Sequence, residues 1–258
     1  MSGATGETRM ESPPAREIVP GIEWIHECFP LSEGRHEHVS VYLVRGPEGN
    51  LVIDSGSFVH REAIRGRLER AVGEQGLSAI ILSHTDYPHS GNVPDFVKRW
   101  GDVDIVASCS DADVQGLPYA RRSRIDELMP VCGRSFLFLD PPLADRSHTT
   151  WICDVEARVV FAADGFGNYH LPGECDRTSA ELDGGIRTDD LVRFHEDSLV
   201  WLRYADPPEL MRALERMVSE RPIEWICPIH GNPIHASDLH EYLRTLGAAV
   251  EDIRARYR

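Results

Sequence analysis

A chain of 258 residues can bury a substantial core in one large domain or two small ones, and 41% hydrophobic with 27% charged residues is ordinary for a globular protein. Its 42 acidic against 27 basic side chains leave a net charge of −15, which argues against nucleic acids and anionic membrane surfaces as partners. No apolar run approaches the roughly 18 residues of a membrane span, and Met1 to Arg16 holds no apolar signal core, so a cytoplasmic protein is expected.

Residues 1–17, dominated by Ser, Gly, Thr, Glu and Pro, read as a flexible tail, and 18–258 as a single domain. Strand patterns cover 22–26, 39–44 and 51–53, the last running into Asp54-Ser55-Gly56. Ile64, Leu68 and Val72 share one face of a helix from His60 to about Glu74. The apolar run Ala79-Ile80-Ile81-Leu82 predicts a buried strand, and a helix follows from Asn92 or Val93 to about Trp100. Pro94 falls in its first turn, where a missing N–H costs little. A strand over 103–107 precedes a helical region over about 111–129, with Arg121-Arg122-Ser123-Arg124 as its solvated face. The second half repeats the theme: a strand over 135–139, a hairpin of 149–153 with 158–162, and a turn-rich acidic stretch to Asp190. Helices over 191–204 and 208–219, a strand over 223–227 and a last helix over 237–257 complete it. Two βα-rich halves predict an α/β fold of the αββα sandwich type.

The six cysteines (Cys28, Cys109, Cys132, Cys153, Cys175, Cys227) include no CxxC pair and read as reduced thiols, with Cys153 and Cys227 as small core residues. The chemistry concentrates in Ser83-His84-Thr85-Asp86-Tyr87-Pro88-His89-Ser90-Gly91-Asn92. His84, Asp86 and His89 crowd one loop at a strand end, the part of an α/β fold where ligands bind. Imidazole with carboxylate suits iron, manganese or zinc. His148, Asp164 and His230 each lie at or just outside a strand end as well. Gly165 and Gly231 follow two of them and let backbone approach a crowded site. Asp54 is expected to hydrogen-bond the ligand loop from below. Tyr87 reads either as touching substrate or as packing beneath it. Tyr169 and His170 read equally as pocket lining or packing. His36 and His38, flanking Glu37, read as a solvated loop or a lid. His195, His235 and His240 read as surface or partly packed histidines.

The ordered set His84, Asp86, His89, His148, Asp164 and His230 resembles the metallo-β-lactamase superfamily over about residues 20–240. Asp86 in place of a histidine, Ala163-Asp164-Gly165-Phe166-Gly167, Arg203-Tyr204-Ala205 and Pro228-Ile229-His230-Gly231 are similar to the flavodiiron and oxygen-binding diiron branch, without its flavodoxin domain. Pro88 stands where that family carries an aspartate ligand. The resemblance implies a metallo-β-lactamase-like fold and a centre of two iron ions, with zinc or manganese as alternatives. One ion would be held by His84, Asp86, His148 and Asp164, and a more labile one by His89, His230 and the shared Asp164. Asp86, Asp164 and Tyr87 would be the catalytic residues. The implied activity is that of an oxidoreductase or oxygen-binding protein acting on O2 or a similar small oxidant, fed by a separate electron-donor protein. The alternatives are a thioester or glyoxalase II type hydrolase and a non-catalytic sensor. A small-molecule substrate and a homodimer are further expectations.

Overall fold

The computed structural model describes residues 15–108 and 119–258. A seven-stranded sheet contains, in spatial order, β1 (Arg16–Val19), β2 (Ile22–Pro30), β3 (His36–Gly46), β4 (Gly49–Ile53), β5 (Ala79–Ile81), β6 (Asp104–Ser108) and β7 (Arg121–Ser123). Pairing is antiparallel from β1 to β4 and parallel from β4 to β7. The parallel strands β4 and β5 are buried along their whole length, which is why they read as unbroken apolar runs. Between these strands the chain forms α1 (Arg61–Val72), a short α2 (Tyr87–Ser90) and α3 (Val93–Trp100).

The second sheet contains β8 (Leu128–Val131), β9 (Arg134–Leu139), β10 (Trp151–Asp154), β11 (Val159–Phe161), β12 (Trp225–Cys227) and β13 (Ile234–His235), in the spatial order β13-β12-β11-β10-β9-β8. Only β11 and β12 run parallel, joined through α4 (Thr188–Ser198) and α5 (Pro207–Ser219); α6 (Ala236–Arg256) closes the chain.

Side-chain alternation along the strands sets the layers. Trp24, Tyr42, Ile53 and Ile81 of the first sheet meet Phe136, Phe138, Ile152 and Phe161 of the second in a central core. Their neighbours Ile25, Val41, Val52 and Ile80 face outward and are covered by Ile64 and Leu68 of α1 and Phe96 of α3. Val160 and Ile226 are covered by Leu191 and Phe194 of α4, Leu214 of α5 and Leu246 and Val250 of α6. The result is the αββα sandwich expected from the two βα-rich halves.

Several elements differ from the sequence expectation. Arg16 and Glu17 belong to β1, while the rest of the expected tail lies largely outside the described residues. The helical region expected over about 111–129 lies outside them through 118, and residues 121–123 and 128–131 are strand. In β7, at the end of its sheet, Ser123 is buried and Arg121 and Arg122 are exposed; Arg121 pairs with Asp104 at 2.8 Å. Residues 36–38 are strand, not loop, with His38 wholly buried. His195 is also wholly buried, its Nδ1 donating to the Leu191 carbonyl at 2.9 Å. Among the described residues, no helix is long and apolar enough to cross a membrane.

The C-terminal ends of β4, β5, β11 and β12 come together where the two sheets meet. There the Thr150 N–H donates to the Ser83 carbonyl at 2.9 Å and the Ser40 N–H to the Ile229 carbonyl at 3.0 Å.

Candidate metal centre

Asp164 emerges just beyond β11, after Ala163 in the left-handed region at φ 50°. Such backbone is costly for a residue with a side chain, and here it fixes where the next carboxylate lies. Asp164 Oδ1 is 3.2 Å from His230 Nε2 and 3.5 Å from His89 Nε2, and its Oδ2 is 3.4 Å from His84 Nε2. Three imidazoles, His84 and His89 from the segment after β5 and His230 from beyond β12, therefore converge on one buried carboxylate.

The opposite ring nitrogens explain that orientation. His89 Nδ1 donates to Asp54 Oδ2 at 2.8 Å. His230 Nδ1 donates to the His38 carbonyl at 2.8 Å, with Glu37 Oε1 at 3.0 Å. His84 Nδ1 lies 3.3 Å from Ser83 Oγ, whose hydroxyl donates to Asp54 Oδ2 at 2.7 Å. Donation through Nδ1 turns each Nε2 inward, so that on losing any proton there it presents the lone pair a metal requires. Asp54, at the end of β4 with φ 57°, also accepts the Ser83 N–H at 2.8 Å, so it supports the ligand loop from below as expected.

His84 Nε2 is buried and has no hydrogen-bond partner. It faces Asp145 Oδ2 as well as Asp164, each at 3.4 Å. An orphaned imidazole nitrogen between two carboxylates fits a metal ion far better than an empty polar pocket. Ligand atoms of His84, His89 and Asp164 all lie within 4.8 Å of one another, as do those of His84, Asp86 and Asp145. The site thus offers two overlapping triads that share His84.

Not every expected residue falls inside these triads. The His148 ring is 6.1 Å from that of His84, and His148 belongs to neither triad. Asp145, three positions earlier in the same loop, brings its Oδ2 to 3.4 Å from His84 Nε2. Asp86 also pairs with Arg146 at 2.8 Å. Tyr87 is 55% exposed and its ring meets Phe58 at 5.6 Å. Pro88 occupies the first turn of α2, where its missing N–H is tolerated, and leaves no ligand atom there. Asp145 and Glu37 are the two contributors that sequence reasoning missed. Asp145 stands in the stretch Asp145-Arg146-Ser147-His148, and Glu37 between two histidines, so both signals lay beside residues already singled out.

The electrostatics couple these groups. Burial raises the Asp164 pKa, but the imidazolium character of His89 and His230 overrides it and holds the carboxyl well below its ordinary value. Burial lowers His89, yet Asp54 and Asp164 on its two sides hold it up at about 10. Burial, then the neighbouring His89, keeps His84 well below its ordinary value and therefore neutral. Burial and the adjacent Asp164 push the Asp145 carboxyl up to about 7, against the Thr149 hydroxyl that donates to it at 2.7 Å. Against burial, Asp164 and Glu37 likewise hold His230 above its ordinary value, so a metal must displace protons from His89, His230 and Asp145. Affinity for iron(II) is therefore expected to rise at least about tenfold per pH unit above pH 7, where His89 still gives up a proton, and more steeply below it, where Asp145 gives up another. Anaerobic iron(II) titrations across this range check the slope, and Asp145→Asn is expected to lessen the extra steepness below pH 7.

The glycines after two of these residues are close-contact positions. A Cβ on Gly165 would lie 2.4 Å from the Trp151 ring, and one on Gly231 would lie 2.9 Å from the Asn168 backbone nitrogen. That nitrogen donates to the His230 carbonyl at 2.9 Å. Gly231→Ala is expected to destabilise the fold by about 1–3 kcal/mol, the usual cost of overpacking, as read from a denaturation midpoint.

The Metallo-beta-lactamase superfamily pattern matches residues 34–111. Type A flavoprotein fprA of Rhodobacter capsulatus is 25% identical over 256 residues, which cover 88% of this chain and 53% of the relative. The chain thus spans about half the length of that curated relative. The flavodiiron protein from Giardia intestinalis superposes with a TM-score of 0.71 at 16% identity, covering 95% of this chain and 59% of that one. Rubredoxin oxygen:oxidoreductase from Desulfovibrio gigas superposes with a TM-score of 0.73 at 16% identity, covering 92% and 61%. With its strand-end histidines gathered around Asp164, the chain has the metallo-β-lactamase fold and is similar, over most of its length, to flavodiiron proteins.

Proposed function

We propose that this protein is an oxidoreductase in which a pair of iron ions reacts with O2 or a similar small oxidant. The observation that carries this reading is the convergence of three imidazole Nε2 atoms on the Asp164 carboxylate, with Asp86 and Asp145 at the His84 side. The donor set is all nitrogen and oxygen, and its three carboxylates favour the higher iron charge that a redox cycle must visit. His84, Asp86, Asp145 and His148 would hold one ion, His89 and His230 the other, and Asp164 would serve both. Asp145 supplies a carboxylate that partly offsets the loss at Pro88. Its place beside His84 puts it with the first ion, however, so the second still has the smaller ligand set.

When bound, the iron pair supplies electrons to the oxidant. The surrounding residues hold that pair in place. Asp54 and the His38 carbonyl fix the rings of His89 and His230, and the 2.8 Å pair with Arg146 orients Asp86. The Phe194 ring, stacked 6.2 Å from His230, closes one side with apolar surface. Electrons are expected from a separate donor protein, as the name rubredoxin oxygen:oxidoreductase describes for one structural relative.

The test is O2 uptake by the iron-loaded chain supplied with a chemical reductant. Many turnovers per iron pair are expected, with iron bound in preference to zinc at this centre. Hydrolysis of a thioester by a zinc-loaded centre, with no O2 uptake, would overturn the reading. A single stoichiometric uptake without turnover would make the protein a sensor instead of an enzyme.

A further inference from the structure

We propose that Cys28, His36, His170 and Cys175 form a second metal site, a closed four-ligand site for a zinc ion, separate from the centre at Asp164. Their ligand atoms all lie within 4.8 Å of one another. Cys28 Sγ is 3.5 Å from His170 Nε2, Cys175 Sγ is 3.4 Å from the same nitrogen, and His36 Nδ1 is 3.3 Å from Cys175 Sγ. Zinc binds thiolate sulfur at about 2.3 Å and imidazole nitrogen at about 2.0–2.1 Å, so a tetrahedral ion sets sulfur and nitrogen about 3.5 Å apart. The observed separations match that edge length. Two sulfurs and two imidazoles also form a donor set that selects zinc over the harder ions suited to carboxylates.

The fold builds this site from three separate segments. Cys28 and His36 come from the paired strands β2 and β3, where Cys28 stands opposite His38 and Pro30 opposite His36. His36 and His170 exchange backbone hydrogen bonds of 2.8 and 3.0 Å, which brings the loop after Asp164 against β3. A turn then returns Cys175 to the same point: the Leu171 N–H donates to Glu174 Oε2 at 2.8 Å, and Arg187 clamps that carboxylate at 2.6 Å. His170 is wholly buried, and the ring of His38 stacks on it at 3.9 Å while donating from Nε2 to the Cys175 carbonyl at 2.8 Å. All four positions are filled by protein, as in structural zinc sites.

The site also braces the first centre. His38, packed against His170, carries the carbonyl that receives His230 Nδ1. A zinc ion here would pin β2 and β3 to the 170–175 turn and so hold that carbonyl in place.

Elemental analysis of the full chain, produced with iron and zinc both supplied, tests this independently of the proposed redox activity. About one zinc per chain is expected in the wild type and in Asp164→Ala. The double variant Cys28→Ser/Cys175→Ser should lose that zinc at least about tenfold while still taking up iron. Should the double variant fail to fold, cobalt(II) loading of the wild type replaces it. Thiolate-to-cobalt charge-transfer absorption saturating at one equivalent and lost on adding zinc supports the site. Zinc content unchanged by the two serines, no thiolate absorption with cobalt, or a Cys28–Cys175 disulfide after reducing purification would overturn the proposal.

Discussion

Alanine at Asp164 is expected to empty the centre of iron. The carboxylate is the one group that all three inward-facing imidazoles meet. Loss of a contact that merely supports a ligand costs about 10–100-fold in metal affinity. Removal of a shared ligand should cost at least about 100-fold. Iron per chain after desalting should therefore fall to a trace, and O2 uptake with it. Asp164→Asn, which keeps the shape but not the charge, should fall between. Near-stoichiometric iron in Asp164→Ala would mean that the metal is held elsewhere.

Asp54→Ala should damage both stability and metal binding, although Asp54 ligates nothing. Its carboxylate is wholly buried and accepts from the Ser83 backbone at 2.8 Å, the Ser83 hydroxyl at 2.7 Å and His89 Nδ1 at 2.8 Å. Breaking a buried charged pair by removing one partner costs about 3–5 kcal/mol, and freeing the His89 ring should weaken iron about 10–100-fold. Denaturant midpoints and iron(II) titrations measure the two effects separately. A variant as stable as the wild type would show that Asp54 does not hold the ligand loop.

The layered fold and the site were legible to different depths. Ala79-Ile80-Ile81-Leu82 and Val159-Val160-Phe161 announce buried strands because both faces are covered, and His84 and Asp164 come shortly after them. The start of β3 was hidden because His36, Glu37 and His38 are polar and carry no apolar alternation, although His38 is buried. Asp145 read as a turn residue because only the tertiary fold brings its carboxylate to His84. His148, three positions on, has the more familiar ligand chemistry and drew the attention. Pro88 marked a missing ligand, but nothing local says that α2 begins there. The cysteine site was invisible for a plainer reason: Cys28 and His170 are 142 positions apart, and no spacing rule joins them.

The most direct test of the iron–oxygen reading is the visible spectrum of the reduced, iron-loaded protein as O2 is admitted. Ligand-to-iron charge-transfer bands that grow with O2 in the wild type and are missing from Asp164→Ala are the expected result. A spectrum that O2 leaves unchanged, in protein that hydrolyses thioesters when loaded with zinc, would contradict it.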